Sequence, residues 1–121
     1  MSDKPKVYTE AEIAPHLQKT GLGSWKLEDG WLRRKFNTDG WRSTLMLVNA
    51  IGFMAEAADH HPDLTVTWAK VWVKLQTHSA GGITDKDFAL AKLIEEHVLW
   101  RPESGSPFQG AAANEFVKIE K

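Results

Sequence analysis

The chain has 121 residues, 42% of them hydrophobic and 26% charged, which suits one folded domain, 1–121, with a single core and excludes a disordered or fibrous chain. Lys and Arg total 15 against 16 Asp and Glu, so no large net field draws the chain onto nucleic acid or an anionic membrane. Cys is absent, which excludes disulfides, thiolate metal sites and cysteine nucleophiles.

Residues 1–10 are polar and carry no basic stretch leading into an apolar run, and no later apolar run approaches membrane-spanning length. A cytoplasmic protein without membrane contact is expected. From Thr9 to Lys19 a short helix is expected, capped by Thr9 with Glu12 in the capping-box position and Gly21 beyond its end. Trp25 to Glu28 and Leu32 to Phe36 flank Asp29-Gly30, a dipeptide suited to the positive φ angles of a tight turn, and predict a β-hairpin.

Asp39 is placed to cap a helix reaching about Ala58, with Trp41, Leu45, Val48, Ile51 and Ala55 as the apolar stripe facing a sheet. His60-His61-Pro62-Asp63 ends it, because the residue before proline is pushed out of the α region. Leu64 to Trp68 and Val71 to His78 predict a second strand pair, in which period two puts His78 on the face of Gln76, Lys74 and Trp72, opposite the valines. Thr84 and Asp87 have capping spacing for a last helix to about Val98 that buries Leu90, Ala91, Ile94 and Val98.

The order helix, hairpin, helix, hairpin, helix predicts an α+β two-layer sandwich, an antiparallel sheet covered on one face. From Trp100 onward, Pro102, Ser104, Gly105, Ser106, Pro107 and Gly110 give a loop composition. Phe116 to Ile119 then adds a short strand or docks against a neighbour.

Chemistry concentrates in Glu56, Asp59-His60-His61-Pro62, Trp68, His78 and Asp87. Imidazoles exchange protons near neutral pH, and two on a loop with a third at a strand end form a candidate acid-base set; packing is the competing reading of any His-His pair. Three imidazoles also hold zinc in some enzymes, but adjacent histidines do not readily aim both rings at one ion, and no helical H-x-x-x-H pair is present. No metal site is expected. His16 and His97 lie outside this set and are read as solvated helix residues.

The pattern Glu56-x3-His60-His61-Pro62-x5-Trp68-x9-His78-x8-Asp87 resembles the signature of the pterin-4a-carbinolamine dehydratases. The likeness runs over about 25–98, includes Gly52 to Glu56 and Leu90 to Glu95, and leaves 100–121 as a C-terminal extension. It implies a four-stranded antiparallel sheet with helices on one side. It also implies a hydro-lyase that removes water from 4a-hydroxytetrahydropterin during tetrahydropterin recycling, by histidine acid-base catalysis and without a cofactor.

By that resemblance His60, His61 and His78 are catalytic, with His61 and His78 as the proton-transfer pair and His60 positioning the substrate. Glu56, Asp59, Trp25, Trp68, Gln76, Thr77 and Asp87 are candidate substrate-binding residues. Five of them have a blander reading: solvated carboxylates for Glu56 and Asp59, core or interface for Trp25 and Trp68, and a helix cap for Asp87. The resemblance further implies a homodimer or homotetramer, and the balanced charge implies no direct nucleic-acid binding. Two alternatives stay open: a noncatalytic assembly factor or coactivator on the same fold, and a dehydratase for a molybdopterin-related compound.

Overall fold

The computed structural model describes residues 4–119. Its elements follow the order α1 (Glu10–Lys19), β1 (Lys26–Glu28), β2 (Trp31–Asn37), α2 (Trp41–Ala58), β3 (Asp63–Thr67), β4 (Lys70–Leu75), a 3-10 turn (His78–Ala80) and α3 (Asp85–Val98). The four strands form one antiparallel sheet in the order β1-β2-β4-β3. The expected α+β architecture is the one observed.

Alternation along the strands sorts the two faces. Leu32 and Phe36 of β2 and Val71, Val73 and Leu75 of β4 are completely buried, together with Ile51 of α2 and Ala91 and Ile94 of α3. Trp72 and Lys35, paired across β2 and β4, lie on the opposite, open face. Arg34 is the one charged residue on the core side of β2; its guanidinium lies 2.5 Å from Glu95 of α3, which also accepts from the Trp25 indole N–H at 2.8 Å. A buried charge is tolerable when paired and hydrogen-bonded in this way.

Local chemistry explains the boundaries. Glu12 accepts from the backbone N–H of Thr9 at 2.9 Å, completing the box that starts α1, and α1 continues through Pro15. The β1–β2 turn is tight because Asp29 and Gly30 both take positive φ, 53° and 82°, the requirement of a primed hairpin turn. At the end of α2, Asp59 adopts the left-handed conformation and its N–H returns to Glu56, a geometry Asp tolerates better than most residues.

Two expectations about α2 are corrected. Its N-cap is Gly40, and the Asp39 carboxylate accepts from the Ser43 hydroxyl instead of capping the backbone. The buried face is Ser43, Thr44, Leu47, Ile51, Met54 and Ala55, whereas Trp41 and Leu45 are exposed. The apolar spacing is helical on both sides, and the side hydrogen-bonded to the sheet connection wins: the Thr44 hydroxyl donates to the Trp68 carbonyl at 2.8 Å and faces Thr38 at 2.7 Å. His16 also departs from expectation, packing against Phe88 at 4.3 Å and Tyr8 at 5.1 Å between ring centres.

Beyond α3 the chain folds back across α2. Val117 forms an isolated bridge with Thr38, and the Lys118 N–H donates to the Asn37 carbonyl at 2.8 Å. Among the described residues no helix is long and apolar enough to cross a membrane.

Candidate active site

The histidines collect where β4 ends. Asp63 of β3 pairs with Lys74 of β4, so the loop that precedes Asp63 runs alongside the strand end from which Thr77 and His78 emerge. The strand is shorter than expected: it stops at Leu75, and His78 opens a 3-10 turn instead of extending the ladder. The cause is a tight closure, in which the Thr77 N–H donates to the Gly82 carbonyl at 2.9 Å and the Gly81 N–H returns to Thr77 at 3.0 Å.

At the centre of this corner is Asp87, third residue of α3 and fully buried. Its Oδ2 accepts from the Thr84 N–H at 2.9 Å and the Thr77 hydroxyl at 2.8 Å, while Oδ1 lies 2.6 Å from Nε2 of His60. With the Thr77 proton committed to Asp87, the Thr84 hydroxyl donates to Thr77 across their 2.8 Å contact and accepts from the Lys86 N–H at 3.2 Å. Every proton in the chain has one direction. A buried carboxylate in the first turn of a helix, with three donors, is well compensated. Asp87 is therefore a helix cap and also the anchor of His60.

The other two imidazoles are more open. His61 is exposed, and its Nε2 meets the exposed Glu56 carboxylate of the last turn of α2 at 2.7 Å. His78 is exposed, with its ring edge-on to Trp31 at 5.4 Å between centres. The ammonium of Lys74 stands 4.4 Å from the centre of the same Trp31 ring. Gln76 donates to the Gly30 carbonyl at 3.1 Å, which ties the strand end to the β1–β2 turn. His60, His61, His78, Glu56, Gln76, Thr77 and Asp87 thus belong to one corner of the sheet, with Asp59 exposed at the head of the histidine loop.

Two aromatic candidates are elsewhere. Trp25 is 3% exposed, in the core, with its N–H on Glu95. Trp68 is exposed but sits in the β3–β4 turn against Gly40, at the far end of β4 from His78; the six residues of β4 span roughly 17 Å. The motif records spacing along the chain, whereas a hairpin sends its turn and its strand ends in opposite directions. The aromatic that does flank His78 is Trp31, which belongs to no motif. Its signal is its place directly after the Asp29-Gly30 turn, at the same end of the sheet as the end of β4.

A cavity of about 220 Å³ borders His60 on the helical side, between Ala58, Lys86, Ala89, Leu90 and Leu93. Among the described residues no three His, Asp or Glu side chains are grouped to hold a metal ion. What the corner offers is one anchored imidazole and two accessible ones, groups suited to moving protons on a small ligand.

Residues 6–97 match the family model described as pterin 4 alpha carbinolamine dehydratase. A provisionally named pterin-4-alpha-carbinolamine dehydratase of Aquifex aeolicus is 46% identical over 90 residues, covering 74% of this chain and 89% of that protein. A protein of Chloroflexus aurantiacus with the same provisional name is 42% identical over 88 residues, covering 73% of this chain and 92% of its own. Among solved structures, a protein of Brucella melitensis described as a transcriptional coactivator/pterin dehydratase superposes with a TM-score of 0.68 at 27% identity, covering 74% of this chain and 96% of that one.

Proposed function

This chain belongs to the pterin-4a-carbinolamine dehydratase family, and from that premise we propose that it dehydrates 4a-hydroxytetrahydropterin by acid-base catalysis at the histidine corner. The reaction removes the N5 proton and the C4a hydroxyl, which leave as water, and a C4a=N5 double bond forms to give quinonoid dihydropterin. A base takes the first and an acid protonates the second.

The observation that carries this reading is the division among the imidazoles. His60 is held by a buried carboxylate, which fits a positioning group, while His61 and His78 are accessible, which fits the proton-transfer pair. Glu56 steadies His61, and Trp31 supplies a flat apolar wall beside His78 suited to a bicyclic ring. Asp59, two residues before His61, and Gln76, two residues before His78, serve as candidate partners for pterin N–H groups and carbonyls.

A purely binding role is the alternative, motivated by the coactivator description of the Brucella protein. The retained histidines favour the enzyme. The test is to follow dehydration of enzymatically generated 4a-hydroxytetrahydropterin by ultraviolet absorbance. His61→Ala and His78→Ala should each slow the reaction by about ten-fold or more, the low end of what an acid-base group contributes. A wild-type protein that does not exceed the uncatalysed rate would overturn this reading and leave the binding role or a molybdopterin-related substrate.

A further inference from the structure

One cavity shares no residue with the histidine corner. It has a volume of about 560 Å³ and lies between α2 and the segment after α3, a size typical of small-molecule sites. Met46 and Leu47 of α2, Val98 at the end of α3, and Trp100, Phe108 and Phe116 give it apolar walls. Trp100 and Phe108 meet edge to face at 5.8 Å. The family match ends at residue 97, so much of this lining lies outside the part of the chain that defines the family.

One lining residue is charged. The guanidinium of Arg101 donates to the Trp100 carbonyl at 3.1 Å and to the Val117 carbonyl. Among the described residues its buried Nε–H has no partner, and no carboxylate pairs with the guanidinium. A cation in an apolar wall without a counter-charge is costly, and an anion bound beside the guanidinium would relieve that cost. The two carbonyl contacts hold the group in place, and Val117 is itself pinned to Thr38, so the charge is presented on a fixed wall.

We propose that α2 and the C-terminal segment form a second ligand site, for a small organic carboxylate with an aryl or alkyl body, whose anion pairs with Arg101 while the body fills the aromatic cavity. The site is independent of the dehydratase reading. Its apolar walls supply most of the burial, and Arg101 selects the charge.

The experiment is calorimetric titration of the full chain with 2-naphthoate and with the neutral 2-naphthalenemethanol. Wild type should bind naphthoate at a single saturable site and the alcohol about ten-fold or more weakly, the size expected of a charge-assisted hydrogen bond. Arg101→Gln should bring naphthoate down to the level of the alcohol and leave the alcohol unchanged; Ala50→Phe, which fills the cavity from α2, should abolish both. Should Arg101→Gln release the segment and lose both ligands, Arg101→Lys decides: a retained preference for the acid supports the site, and a lost one overturns it. Equal affinity of wild type for acid and alcohol, or naphthoate binding untouched in Arg101→Gln, also overturns it. The same holds if wild type shows no saturable binding, including the case in which sedimentation finds a second copy of the chain covering the cavity.

Discussion

Nε2 of His60 and Oδ1 of Asp87 stand 2.6 Å apart, joining the loop after α2 to the first turn of α3. An ionised carboxylate only accepts, so this contact places the His60 proton on Nε2 and leaves Nδ1 as the free lone pair. Nitrogen-15 spectra of the imidazole should show His60 as the Nε2–H tautomer in the neutral form. In Asp87→Asn, which keeps the volume but loses one acceptor, that preference should weaken and turnover should fall more than substrate affinity. An unchanged His60 spectrum in the variant would remove Asp87 from a positioning role.

Asp87 also closes the Thr77–Thr84 hydroxyl chain, so Asp87→Ala strands several buried donors. The expected loss is about 1–3 kcal/mol for each one left unsatisfied, read from urea unfolding. Thr84→Ala, which removes only the cap hydroxyl, should cost about 1 kcal/mol.

Arg34 and Glu95 form the buried pair under the sheet, at 4% and 15% side-chain exposure. Removing one partner leaves an uncompensated charge, so Glu95→Ala should destabilise the protein by about 3–5 kcal/mol. Because Glu95 also accepts from Trp25, the tryptophan emission of the folded state should shift as well. A change below about 1 kcal/mol would mean that the pair is open to solvent.

Glu12 is pulled down from 4.5 to about 2, first by its hydrogen bond from Lys6, then by the Thr9 backbone N–H and hydroxyl. Its folded-state value is the lower one, so its stabilising contribution is complete above pH 4.5 and is lost as the pH falls toward about 2. The carboxylate is exposed, which keeps the effect modest and salt-sensitive. Thermal unfolding across that acid range should be less pH-dependent in Glu12→Gln than in wild type; parallel curves would contradict the assignment.

Gly30 has a φ of +82°, and a Cβ there would lie 3.7 Å from the Gln76 amide. Space is adequate but the conformation is not, so Gly30→Ala should cost about 1–2 kcal/mol. Gly30 also holds Gln76 through its carbonyl, so the dehydration assay should register the change if the turn supports the site.

Much of this protein was legible from local chemistry. The Asp29-Gly30 turn, the capping pairs Thr9/Glu12 and Thr84/Asp87, and the alternation of Val71, Val73 and Leu75 each depend on neighbours in the chain, and each marks an element that is present. The spaced pattern from Glu56 through His60-His61-Pro62, Trp68 and His78 to Asp87 indicated the family.

What local chemistry left undecided required the third dimension. Helical periodicity sets the pitch of an apolar stripe without saying which side meets the sheet, and α2 turned Leu47 and Met54 inward in place of Trp41 and Leu45. Trp68 matched the motif yet lies at the other end of its hairpin from His78, while Trp31, unmarked by any motif, stands beside it. The dual role of Asp87 and the hold of Arg101 on the Val117 carbonyl likewise arise from contacts between segments distant along the chain. Spacing in sequence constrains what neighbouring residues do; proximity between distant ones exists only once the strands have paired and the helices have packed.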